Sequence, residues 1–214
     1  MLSVVVPTMW RHAPFVDFLE QVCAHDHVAD IVIVDNCVTQ RPHHAVFSNP
    51  KIHMWDLGCN IHVNPAWNLG VHVSSQDHIC IMNDDIEFDT QVFAIVDDFL
   101  QPHMGLISLS ASEPVQGDIY LELWQGAHMF GCGQLMFLHR KQFVDIDAEL
   151  QVYCGDNWLF DHLHHNTGAN YMIRNLNHHT PYACTSRNFR HLLHTEMAHY
   201  AHLMSQKQIA RLHV

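Results

Sequence analysis

Two adjacent aspartates, Asp84 and Asp85, follow a short apolar run that ends at Met82. Like charges held this close repel each other and disfavour the ionised forms unless something compensates them. A hard divalent cation such as Mn²⁺ or Mg²⁺, which prefers oxygen ligands, is one such compensation. An Asp-Asp pair can also be part of a solvated turn or a helix cap, with no bound metal. The structural setting of the pair therefore decides between a metal site and a turn.

Three further polar residues have types and positions suited to a reactive centre. Asp156 stands at the start of a predicted helix, where backbone N–H groups hold a carboxylate in place, although a plain N-cap has the same pattern. His178 and His179 follow the last predicted strand, and an imidazole there is a possible metal ligand. Because the chain contains 22 histidines, surface histidines without a ligand role are an open alternative.

The first hundred residues alternate between strand and helix patterns. Short apolar runs predict buried strands, and i, i+3, i+4, i+7 spacing predicts amphipathic helices. The strands are expected at 2–6, 31–34, 51–55 and 78–82, and the helices around 15–22, from 64 and around 92–100. Asn64 before Pro65 predicts the cap of the second helix. This alternation indicates an α/β fold with a mostly parallel central sheet and helices on both faces.

The second half is less regular. Strand patterns occur at 107–109, 134–138 and 171–176, with a short helix at 155–165. A long terminal helix is predicted from about 187, and its buried side is expected to carry Phe189, Leu192, Leu193, Met197, Tyr200 and Met204. In open α/β sheets, ligands bind at the carboxyl ends of the strands, where Thr8, Asp35 and Asn83–Asp85 fall.

Composition excludes several function classes. With 48% apolar residues, the 214-residue chain can bury a sizeable core and is not of the disordered type. A formal net charge of −12 argues against a broad nucleic-acid footprint. Seven cysteines without a CxxC motif indicate reduced thiols. We find neither a membrane-span pattern nor a signal peptide, so the sequence predicts a soluble cytoplasmic protein, whether complete or one domain of a larger one.

Several motifs, taken in order, resemble the GT-A glycosyltransferases of the family 2 type over most of residues 1–180, including small bacterial or virus-encoded members. Ser3–Thr8 resembles the first strand and its nucleotide-contacting turn, and Ile31–Asn36 resembles the second strand. The segment Asn60–Gly70 matches the pattern Asn-x-Gly-x-x-x-Ala-x-Asn-x-Gly except at His62, where glycine is usual, and it has Trp67 where arginine is frequent. Asn83-Asp84-Asp85 takes the place of the DxD motif. Gly131–Arg140 resembles the acceptor-side strand, and Tyr153–Leu159 the Glu-Asp-x-Asp-Leu segment, with Gly155 in place of Glu.

The resemblance implies a single GT-A domain over 1–214, with a nucleotide-sugar half at 1–100, an acceptor-side half at 101–180 and a C-terminal helix at 187–214. It implies metal-dependent, inverting transfer from a nucleotide-diphosphate sugar, by default a UDP-sugar, to a hydroxyl of a glycan, lipid or protein. Asp85 would be the chief ligand of Mn²⁺ or Mg²⁺, aided by Asp84 and by His179 or His178, and Asp156 would be the general base. Trp124 and Glu122, in a stretch at 110–128 that also holds Glu113 and Asp118, would line the acceptor side. The donor would contact Pro7, Thr8, Arg11, Asp35, Asn60, Asn64, Asn68, Asn83 and Asp84.

Two other function classes stay open. A sugar-phosphate nucleotidyltransferase has a similar core, but the turn Val6–Arg11 has no glycine to form a phosphate loop. A non-catalytic metal- or carbohydrate-binding module would use histidines as ligands, such as the pairs His191/His194 and His199/His202 on the terminal helix.

Overall fold

The computed structural model describes residues 1–109, 116–125, 132–180 and 188–211. In this part of the chain the helices are α1 (Phe15–Ala24), α2 (Val63–Val73), α3 (Val92–Phe99), α4 (Gly155–Thr167) and α5 (Arg190–Arg211). The strands are β1 (Leu2–Thr8), β2 (Val28–Asp35), β3 (Ile52–Asp56), β4 (His78–Met82), β5 (Glu87–Phe88), β6 (Ile107–Leu109), β7 (Tyr120–Leu123), β8 (Leu135–His139), β9 (Tyr171–Arg174) and β10 (His178–His179).

Eight of the described strands form one mixed sheet in the order β3-β2-β1-β4-β8-β6-β9-β7. Strands β3, β2, β1 and β4 are parallel, β8 runs antiparallel to both of its neighbours, and β6 pairs parallel with β9. The small strands β5 and β10 form a separate antiparallel pair. The chain thus has the predicted α/β architecture, and the first four strands deliver their carboxyl ends to one edge of the sheet.

Helices cover both faces of this sheet because the side chains of a strand alternate between its faces. Val4 and Val6 of β1 belong to a buried cluster that includes the apolar faces of α1 and α3. Val5 points the other way, into a second cluster that includes α2 and α4. Strands with apolar residues on both faces bury their full width, which explains the continuous apolar runs in the sequence.

Most predicted elements are confirmed, with exceptions in the chain before residue 180 that include one helix cap and the short strands β5, β7 and β10. Helix α2 begins at Val63, so the prediction that Asn64 is its N-cap is wrong. Asn64 is completely buried, and its amide donates hydrogen bonds to the chain at 150–153. Strand β7 was not predicted, since Tyr120–Leu123 lies within a polar-aromatic stretch and pairs only at the sheet edge with β9.

The terminal helix is confirmed, but its predicted buried side is partly wrong. Met197 is 48% exposed, whereas the neighbouring Glu196 is only 2% exposed. The carboxylate of Glu196 accepts the backbone N–H groups of Val152 and Tyr153, which accounts for the burial of a charged residue on this face. No helix in the described residues is both long and apolar enough to cross a membrane. The six cysteines within these residues are free thiols, and Cys184 lies outside them.

Candidate active site

A cleft of about 620 Å³ lies at the carboxyl ends of β1, β2 and β4. The turns after these strands form its floor, and residues from the start of α2 and from the two later segments near 152 and 189 form its walls. Among the described residues, its lining consists of Pro7, Thr8, Met9, Arg11, Asn36, Asn60, His62, Val63, Asn83, Asp84, Asp85, Val152 and Phe189. Six predicted site residues besides Asp85 therefore share this cleft: Pro7, Thr8, Arg11, Asn60, Asn83 and Asp84.

Asp84 and Asp85 lie in this cleft at the turn after β4. The Thr8 hydroxyl donates to Asp84 Oδ2 at 2.6 Å, and the Trp10 N–H donates to Thr8 Oγ1 at 2.9 Å, so the turns after β1 and β4 are joined. Burial raises the pKa of Asp84, although the hydrogen bond from Thr8 offsets part of this effect. Burial, together with the adjacent charge of Asp84, raises the pKa of Asp85 to about 6.

This pair is suited to a divalent cation. Two buried carboxylates that disfavour each other's ionisation are stabilised when a cation binds between or beside them. A magnesium-type ion commonly uses one or two protein carboxylates and takes its other ligands from water and substrate phosphates. Within the described residues no three His, Cys, Asp or Glu side chains converge.

His178 and His179, the other predicted metal ligands, are not among the described residues that line this cleft. They form β10, which is hydrogen bonded to β5, and they line a different cavity together with Glu87 and Asp89. The His178 Nδ1 atom is 3.0 Å from the carbonyl oxygen of Leu176. The short antiparallel pairing, which the sequence does not reveal, places both histidines beside Glu87 and Phe88.

A second cavity, of about 960 Å³, adjoins the cleft and contains Asp156. Val63, Asn83 and Val152 line both spaces. Asp156 Oδ1 accepts the N–H of Asn157 at 2.9 Å, and Oδ2 accepts the N–H of Gly133 at 3.2 Å. Burial raises the pKa of Asp156, and these two donors offset part of the rise. The carboxylate is thus fixed in position beside the cleft and holds a proton more readily than an exposed aspartate.

Two glycines explain how Asp156 is accommodated. A Cβ atom at Gly133 would be 3.0 Å from the Cβ atom of Asp156, so this glycine permits the close approach of its N–H. A Cβ atom at Gly155 would overlap the amide of Asn64. That amide donates to the carbonyl groups of Leu150 and Tyr153. Gly155 therefore leaves the space that the Asn64 side chain occupies.

Three predicted donor contacts lie outside the cleft. Asp35 is buried, and its Oδ2 atom accepts from the Arg41 guanidinium at 2.6 Å. The Asn64 amide holds the chain at 150–153, and the Asn68 amide bonds the backbone of Ile146 at 2.9 and 3.0 Å. All three side chains are used to fix backbone segments around the cleft, so their assignment to the nucleotide-sugar is not supported by their positions.

The predicted acceptor-side residues also lie away from the two cavities. Glu122 is exposed on the edge strand β7 and pairs with Arg174 Nε at 2.6 Å. The Trp124 ring packs edge-on against Phe160, with the ring centroids 6.3 Å apart. Glu113 and Gly131 lie outside the described residues. The observed lining of the Asp156 cavity instead includes Trp67, Tyr153, Leu193 and Met197.

His62 is a cleft residue that sequence reasoning left unassigned. Its backbone has φ 68° and ψ 175°, a conformation that glycine adopts and that costs other residues roughly 1–3 kcal/mol. The signal was present in the sequence, because the resembling motif has glycine at this position. The other unpredicted lining residues, such as Val152 and Phe189, come from distant segments, and no local pattern marks them.

Comparisons with known proteins identify the fold. No family model matches the sequence, and no curated protein matches it. Three solved structures of residues 1–349 of TarS from S. aureus, a family 2 glycosyltransferase, are similar at 12% identity and over 85% of this chain. The TM-score is 0.57 for one structure, 0.58 for the complex with UDP and 0.51 for the complex with UDP-GlcNAc. The chain spans 58%, 58% and 56% of their lengths, a little over half. The chain therefore has the GT-A fold.

Proposed function

Because the chain has the GT-A fold, we propose that it transfers a sugar from a nucleotide-diphosphate sugar to an acceptor hydroxyl. The observation that carries this proposal is that two spaces share one wall. One is the cleft that contains Asp84 and Asp85, and the other is the cavity that contains Asp156. A donor in the cleft would place its sugar near the shared wall of Val63, Asn83 and Val152. An acceptor would reach the same wall from the other side.

UDP-sugars are the donors that we propose first, since similar structures of TarS contain UDP and UDP-GlcNAc. The cleft offers the donor amide groups from Asn60 and Asn83, and one permanent positive charge among the described lining residues, that of Arg11. We propose Mn²⁺ or Mg²⁺ as the cofactor, held by Asp85 and Asp84. When bound, such an ion neutralises charge on a leaving diphosphate.

Asp156 is our candidate for the general base of an inverting transfer. Its carboxylate removes the proton from the acceptor hydroxyl while that oxygen forms a bond to the anomeric carbon, and the bond from this carbon to the diphosphate oxygen breaks. A raised pKa favours this role, because a base works best when its pKa approaches the working pH. The hydrogen bonds from Gly133 and Asn157 hold the carboxylate in one orientation.

The acceptor is a glycan, lipid or protein hydroxyl that enters the Asp156 cavity. Its wall combines the apolar residues Trp67, Leu193 and Met197 with the polar residues Gln134 and Asn157. A mixed wall of this kind suits the apolar faces and hydroxyl groups of a sugar ring.

The test measures donor hydrolysis and transfer with Mn²⁺ or with a chelator, in the wild type and in Asp85→Ala and Asp156→Asn. We expect Asp85→Ala and the chelator each to abolish turnover. We expect Asp156→Asn to bind UDP as the wild type does and to lose 10²- to 10⁴-fold in turnover, roughly the contribution of a general base. Turnover that is indifferent to both the chelator and Asp85→Ala would overturn the proposal.

A further inference from the structure

The peptide at His62 is held in its unusual conformation from both sides. The His62 N–H donates to Asn60 Oδ1 at 2.8 Å, and the His62 carbonyl accepts from the N–H of Ala66 at 3.2 Å and from Asn36 Nδ2 at 3.5 Å. Asn36 in turn accepts the N–H of Ile61 at 3.1 Å. Strained residues persist where their surroundings over-determine them, and they concentrate at ligand sites. This backbone suits glycine, yet it carries an imidazole.

The imidazole of His62 lines the cleft and packs edge-on against Phe189, with the ring centroids 5.3 Å apart. Its Nδ1 atom is buried and has no hydrogen-bond partner among the residues that the structure describes. A buried polar atom without a partner is unfavourable, as is the left-handed backbone. Hydrogen bonds hold the strained backbone of His62, whereas no contact within the described chain satisfies its Nδ1 atom.

The charge of the cleft indicates what a histidine contributes there. A nucleoside diphosphate is a polyanion, whereas the cleft contains two aspartates against the single charge of Arg11. An imidazole that keeps Nδ1 unprotonated against the wall carries its proton on Nε2 and is a hydrogen-bond donor there. A buried lone pair without a partner is also more common than a buried N–H without one.

We propose that His62 contacts the donor directly and donates a hydrogen bond from Nε2 to a phosphate oxygen of the nucleoside diphosphate. This inference rests on the proposed function of the same cleft. It assigns a recognition role to a residue that stands where the resembling motif has glycine. Together with Arg11, His62 supplements the cation in binding the diphosphate, so the nucleoside is recognised by other parts of the cleft.

Two substitutions at His62 separate the effect of losing the imidazole from the effect of relieving the backbone strain. His62→Ala removes the imidazole and keeps the strain, whereas His62→Gly removes both. We expect each variant to bind UDP, in the presence of Mn²⁺, about tenfold more weakly, as the loss of one charge-assisted hydrogen bond predicts. Uridine affinity should stay within twofold of the wild type. His62→Gly should melt several degrees above His62→Ala, because glycine relieves the strain.

Titrations of both variants with UDP, GDP, uridine and guanosine make the test independent of the base. His72→Ala is the matched control, since His72 lies on α2 and its exposed side chain pairs with Asp145 outside the cleft. Diphosphate affinity that is unchanged in both His62 variants overturns the inference. Equal losses for the diphosphate and its nucleoside also overturn it and place the ring against the base. If the wild-type protein binds neither UDP nor GDP, the proposed function itself is overturned. This outcome differs from the two that overturn only the role of His62.

Discussion

Asp84 and Asp85 share one turn but differ in their partners. Asp84 accepts a hydrogen bond from Thr8, which fixes its carboxylate toward the turn after β1. Within the described part of the chain no side chain donates a hydrogen bond to the Asp85 carboxylate, whose pKa is raised to about 6 by burial and by Asp84. At the residue scale, this difference makes Asp84 the positioned partner and Asp85 the group with more to gain from a cation.

Asp85→Asn should stabilise the metal-free protein near neutral pH. The folded pKa of Asp85 lies above its ordinary value, so the native state binds this proton more tightly than the unfolded chain does. The stabilisation from this proton is full below pH 4 and is lost as the pH rises through about 6. Asparagine does not ionise and avoids that loss. In urea unfolding with a chelator, the variant should gain roughly 1–3 kcal/mol at pH 7.5, and much less at pH 4.

The exposed Asp98, changed to asparagine, is the control, and its effect should stay within about 0.5 kcal/mol at both pH values. A gain for Asp85→Asn that is equal at both pH values would exclude ionisation as its cause.

At the element scale, helix α2 approaches strand β1 closely at Gly70. A Cβ atom at this position would overlap the Val5 side chain, which is completely buried. The last glycine of the Asn60–Gly70 motif is therefore a packing residue, whereas its first residues form the cleft wall. Because α2 begins at that wall, its packing against the sheet also sets the position of His62 and Val63.

Gly70→Ala should destabilise the protein by roughly 1–3 kcal/mol, the usual cost of overpacking a core. Urea unfolding would measure the loss, with His72→Ala on the same helix as a control that stays within about 0.5 kcal/mol. Donor affinity should fall as well, because a shifted α2 moves the cleft wall. Wild-type stability in Gly70→Ala would mean that β1 and α2 separate without cost.

Helix α5 holds the loop between the two cavities through one carboxylate. Glu196 Oε2 accepts the N–H groups of Val152 at 2.9 Å and Tyr153 at 2.6 Å, and Val152 lines both spaces. Glu196→Ala leaves both N–H groups without this partner and should cost roughly 2–6 kcal/mol, from about 1–3 kcal/mol for each donor. Thr195→Ala, on the exposed side of the same helix, is the control in thermal and urea unfolding. A loss no larger than that of Thr195→Ala would contradict this role.

At the scale of the whole molecule, the sequence predicts the sheet and the position of the cleft better than it predicts the partners of single side chains. Apolar runs and helix periodicity depend on nearby residues, so β1, β2, β4, α1 and α3 fall close to their predicted places. The sequence does not show that Arg41 folds back to pair with Asp35, or that β10, which contains His178 and His179, pairs with β5. Such pairings depend on contacts between segments that no local pattern encodes.

The net charge of −12 bears on the proposed metal dependence at the scale of the whole molecule. A strongly acidic chain repels a diphosphate, and Arg11 is the one permanent positive charge among the described residues of the cleft lining. A divalent cation should therefore contribute most of the compensation. A ligand that binds only the folded state at 100 times its Kd stabilises that state by about 2.7 kcal/mol. For a chain of about this length, such a gain raises Tm by roughly 5–10 °C. We therefore expect UDP with Mn²⁺ to produce a shift of that size in thermal unfolding, and UDP with a chelator to produce almost none. Asp85→Asn should show no Mn²⁺-dependent shift, whereas Asp98→Asn should behave as the wild type. An equal shift with and without the chelator would show that the protein binds the diphosphate through its own cationic groups.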